Sequence, residues 1–99
     1  MKIFFFVSIF LLGACGLTTI RPKTEMSLAQ SALLAAKEAQ ADQKSPNIYR
    51  KAEVFYIKAK SAYKRKYFNQ AKQFAGASRK LSERAEFTAK RIQALGDDE

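Results

Sequence analysis

The sequence predicts an all-α fold: an N-terminal signal helix, a flexible tether, and then an antiparallel helical hairpin or three-helix bundle. Three observations predict it. Of the 85 residues after Ala14, fifteen are Ala and most of the rest are good helix formers. Apolar residues there recur at intervals of three and four, and no window alternates with the two-residue period of a strand. The only proline beyond the tether, Pro46, follows Ser45 in the arrangement that opens a helix.

The first element occupies residues 1–14. Met1 and Lys2 give a positive start, Ile3 to Leu12 (IFFFVSIFLL) is nearly all aliphatic or aromatic, and the small residues Gly13 and Ala14 precede Cys15. That is the plan of a removable secretory signal. The apolar run falls well short of the roughly 20 residues that span a bilayer.

Residues 15–24 follow as the tether: Gly16 to Thr24 (GLTTIRPKT) has no helical period. The helical domain is placed at 25–96. Its first segment has Thr24 as cap and Leu28, Ala32, Ala35 and Ala39 as one apolar stripe up to about Lys44. Ser45 and Pro46 reset the helix, because a proline lacks the amide that an interior position needs but suits the first position, where that amide has no partner. The second segment carries Ile48, Ala52, Phe55, Ala59 and Ala62 on one face, flanked by Tyr49, Tyr56 and Tyr63 at seven-residue spacing. The last segment carries Ala71, Phe74, Ser78, Leu81, Ala85, Thr88, Ile92 and Leu95, with Gly96 as its stop before an acidic tail at 97–99. Segments two and three could run on as one helix with a stutter. Length favours a fold-back near Lys66 to Phe68, since one helix from Pro46 to Leu95 would far exceed the mean of about 11 to 12 residues. Ala and Ser on the facing stripes then allow close backbone approach.

Leu12-Gly13-Ala14-Cys15 resembles the lipobox of bacterial lipoproteins, in which an aliphatic residue and two small ones precede the cysteine that becomes the first mature residue. The resemblance implies recognition of Leu12, Gly13 and Ala14 by the lipoprotein signal peptidase, a thioether-linked diacylglycerol on Cys15, and a third acyl chain on the new amine. Two or more chains, at about 0.8 kcal/mol per buried methylene, suffice for stable attachment. Gly16, where enteric-type inner-membrane lipoproteins usually carry Asp, points the resemblance to the outer membrane, facing the periplasm. Further on, Ser45-Pro46, Ala52, Ala59, Ala62, Phe68-Asn69-Gln70-Ala71, Ala75, Ser78, Ala85 and Ala89 look like a family of small envelope lipoproteins with an alanine-rich helical domain of unknown function. The same residues are similar to one tetratricopeptide-type hairpin, with Ala59 and Ala71 at its small packing positions and Phe68 at its aromatic one. Both patterns usually have Gly-Asp before that aromatic; this chain has Lys66-Tyr67. A tetratricopeptide array would need about three repeats, and there is room for one.

Composition limits the chemistry. The chain has no His and a single Cys, so its own side chains supply neither a His-based catalytic dyad or triad nor a His/Cys zinc site; no cofactor or metal is expected, and a non-enzymatic protein is. Lys+Arg number 18 against nine Asp+Glu, and the densest basic group is Lys58, Lys60, Lys64, Arg65, Lys66 and Lys72. Such a group can hold anionic headgroups or envelope polymer at about 1 kcal/mol per charge, or serve solubility alone. Tyr49, Tyr56 and Tyr63 form a candidate partner-docking face, or flank the core with wet hydroxyls. Glu83 and Glu86 lie four residues from Arg79 and Lys90, a spacing for structural ion pairs. Export argues against nucleic acid as a partner despite a pI near 9.9. The expected partners are the membrane, through the anchor, and another envelope protein, an anionic polymer or a second copy. Two functions stand: a membrane-anchored structural or interaction module of the cell envelope, or an electrostatic binder of anionic polymer or lipid.

Overall fold

A computed structural model describes residues 21–97, with side chains to 96. Leu12, Gly13, Ala14 and Cys15, the first part of the tether, and most of the acidic tail lie outside the described residues. Within them the protein is all-α, with helices α1 (Lys23–Glu38), α2 (Ala41–Lys44), α3 (Pro46–Lys64) and α4 (Phe68–Asp97), and no strand.

Helix α1 starts earlier than expected. Pro22 is its N-cap residue and its carbonyl accepts from the Met26 amide at 3.0 Å, so Thr24 lies in the first turn and caps nothing. The helix stops where Gln40 turns left-handed, φ 62°, its amide donating to the Lys37 carbonyl at 2.9 Å. The stripe expected to run on to Lys44 is therefore interrupted, and α2 is a separate turn. Its buried face is Ala29 and Ala36, while Leu28 is 43% exposed and Ala32, Ala35 and Ala39 are half-buried. The packing face is rotated by about one residue from the expected one.

In α3, Pro46 takes the first helical position as expected. Ser45 stands at the N-cap, but its hydroxyl caps nothing there: it donates across the bundle to the Ala85 carbonyl of α4 at 2.9 Å. Ala52, Ala59 and Ala62 are buried, with Ile48 and Phe55 half-buried beside them.

The chain reverses at residues 65–67. Tyr67 N–H donates to the Ala62 carbonyl at 2.9 Å and Lys66 N–H to the Tyr63 carbonyl at 3.1 Å, with Lys66 left-handed at φ 65°. This is the Schellman pairing, with a lysine where glycine is usual. It supplies the tight turn without Gly-Asp and separates α3 from α4.

Helix α4 has 30 residues, about 45 Å of rise. It runs through Gly96, which takes no left-handed conformation and does not end it. Its buried positions are Ala71, Ala75, Ser78, Ser82, Ala85 and Ala89, a strict alternation of four and three that keeps one narrow seam inward. Ile92 and Leu95, expected on this stripe, are 44% and 61% exposed.

The seam explains the core. Every fully buried side chain among the described residues is Ala or Ser, the largest being Ser78 and Ser82. Side chains this small bring helix axes to the low end of the usual 8–10 Å range. At that spacing hydroxyls reach neighbouring backbones: Ser78 donates to the Ala52 carbonyl at 2.7 Å, locking α4 to α3 in register. Two clusters fix the topology. Ala29, Ala59 and Ala75 meet near one end, with Met26, Tyr56 and Phe74 packed against them. Ala36, Ala41, Tyr49, Ala85 and Ala89 meet near the other. Helices α1 and α4 thus run parallel, α3 runs antiparallel to both, and α4 packs extensively on each. The start of α1 and the α3–α4 turn share one end of the bundle.

Candidate functional site

The six basic residues expected to form one patch surround that end, and only part of the group is uncommitted. Lys72 lies 3.8 Å from Glu25 of α1. Lys58 Nζ sits over the Phe55 and Phe74 rings at 5.4 and 5.9 Å from their centroids, and Lys60 Nζ over Tyr56 at 5.2 Å, so both stems run along aromatic faces. Lys64, Arg65 and Lys66 occupy the last turn of α3 and the reversal, all exposed, and pair with no carboxylate among the described residues. Their charges complement the carbonyl end of α3. Beside them Lys58, Arg65, Tyr67 and Phe74 border a recess of about 210 Å³.

Two basic residues join this group that the sequence pattern did not single out. The Arg21 guanidinium lies 6.0 Å from the Phe68 ring centroid, at the start of α4, and Lys23 opens α1 exposed at the same end. They are far from the patch in the chain, and only the parallel course of α1 and α4 brings them together.

The three tyrosines do not make one surface. Tyr49 is buried against Ala36, Ala41, Ala85 and Ala89, and burial, then the charges of Glu53 and Asp42, hold its hydroxyl above the usual tyrosine range. Tyr56 is half-buried and with Tyr49 lines a groove of about 290 Å³ between α1 and α3, walled by Leu33 and Leu34. Tyr63 turns elsewhere, edge-on to Phe68 at 5.7 Å between centroids. Tyr49 and Tyr56 thus share one groove, and Tyr63 packs on the start of α4 instead.

Glu86 and Glu83 make the ion pairs their spacing implies, to Lys90 at 2.8 Å and Arg79 at 3.8 Å. Among the described residues no three acidic or cysteine side chains converge as metal ligands would. None of the described helices is long and apolar enough to cross a membrane. In comparisons with known proteins, no family model, no curated protein and no solved structure matches this chain.

Proposed function

We propose that this chain is a lipid-anchored protein of the bacterial cell envelope whose helical bundle is a non-enzymatic structural or interaction module, held at the outer membrane on its periplasmic side. One observation carries the reading. The chain's sole cysteine falls immediately after Leu12-Gly13-Ala14, behind a positive start and a short apolar run, where a diacylglyceryl group would be attached and the leader removed. A single thiol in an exported chain closes no internal disulfide, so acylation accounts for its presence better than a structural role does.

The bundle is consistent with such a module in size and exposure. It exposes Leu34, Val54, Ile57 and Phe87 on its outer faces, where an envelope partner or a second copy could pack. The test is fractionation of cells producing the full chain or Cys15→Ser. The wild type is expected in the detergent-extractable membrane fraction, and the variant as a slower-migrating precursor that retains its leader. Identical processing and fractionation of the two would refute the anchor.

A further inference from the structure

The bundle is electrostatically polar along its axis. Between Val54 and Ser82 the chain carries eight basic residues and no acidic one, whereas from Glu83 to Glu99 it carries five acidic against three basic. The fold sums this pattern rather than cancelling it. Arg21 and Lys23 arrive beside the α3–α4 turn, and Glu25, already paired with Lys72, is the lone carboxylate there among the described residues. The N-termini of α1 and α4 also point their positive ends this way, against one C-terminus, that of α3.

The position of this end relative to the chain's start gives the polarity a use. Cys15 and Arg21 are six residues apart, at most about 20 Å of chain. On the reading that Cys15 is acylated, the basic end is the one held next to the bilayer, and the half of α4 from Glu83 onward is carried away from it. From these placements we infer that the basic end, through Arg21, Lys23, Lys64, Arg65 and Lys66, rests on the anionic headgroups of the membrane that holds the anchor. The bundle then stands with its α3–α4 turn on the lipid and α4 directed outward. Each exposed charge brought within a Debye length of about 8 Å contributes to holding it there. Lys58, Lys60 and Lys72, engaged with aromatic rings and Glu25, contribute less.

The test is amine footprinting of the full chain purified from membranes and reconstituted on vesicles of phosphatidylcholine, alone or mixed with phosphatidylglycerol. Acetylation of Lys64 and Lys66 is expected to slow roughly fivefold on the mixed vesicles, with Lys44 and Lys90 unchanged, and to recover at about 1 M salt. Equal reactivity of Lys64 and Lys66 on both vesicles, with the protein bound to both, overturns the proposal. So does uniform slowing of all four lysines, or protection by a soluble polyanion but not by vesicles. The anchor is read separately, as binding to pure phosphatidylcholine. Its absence there would refute acylation, while salt-sensitive protection confined to the mixed vesicles would still support a lipid-facing basic end.

Discussion

Two serines one turn apart on α4 show how a single hydroxyl can act with either sign. Ser78 donates to the Ala52 carbonyl at 2.7 Å, whereas the Ser82 hydroxyl is fully buried with no hydrogen-bond partner. Ser78→Ala is therefore expected to destabilise by about 1 kcal/mol, and Ser82→Ala to stabilise by about 1 kcal/mol, since it removes a desolvated orphan and adds helix propensity. Urea denaturation of both variants checks the opposite signs. Tyr49 gives a second residue-scale test. Its folded-state pKa is raised, chiefly by burial, so as pH climbs past about 10 the unfolded chain ionises first. The contribution of neutral Tyr49 is complete below the unfolded value and is lost above it. Between about pH 9 and about pH 11 the wild type is expected to lose more stability than Tyr49→Phe, measured by the same denaturation at each pH. Matching losses would show that the ring ionises as easily folded as unfolded.

At the scale of elements, the sequence was legible where alanine was the only apolar choice and misleading where a larger residue stood beside it. In α3 the expected Ala52, Ala59 and Ala62 are buried, joined by Tyr49. In α1 the stripe was drawn through Leu28, yet the bundle buries its neighbour Ala29 and leaves Leu28 at the rim. In α4 the stripe was drawn through Leu81 and Thr88, yet the bundle buries their neighbours Ser82 and Ala89. Hydrophobicity selects large side chains, and a seam of closely spaced helices selects small ones, so the two criteria part by one position. An added side chain on that seam must push helices apart: Ala85→Leu is expected to cost about 3 kcal/mol or more, at the upper end of overpacking penalties, read as a fall in Tm. The left-handed turn residues were illegible for another reason. Neither Gln40 nor Lys66 is a residue that ordinarily marks such a backbone. Lys66→Gly is accordingly expected to stabilise the hairpin by about 1 kcal/mol, with the gain visible in thermal unfolding.

For the whole molecule, the basic group could be read from the chain, but its meaning could not. Lys64 to Lys66 stand out in any charge count, while Arg21 and Lys23 join them only because α1 runs parallel to α4. That topology turns a local excess of charge into a polarity of the bundle, directed toward the point where the chain leaves for Cys15. The proposed module, and the orientation and membrane location proposed for it, all depend on what Cys15 carries. Intact-mass spectrometry of the protein extracted from membranes measures this directly. The expected mass is that of a chain beginning at Cys15, heavier than its amino acids by a diacylglyceryl group and a further acyl chain; a mass that retains Met1 and an unmodified thiol would refute the anchor.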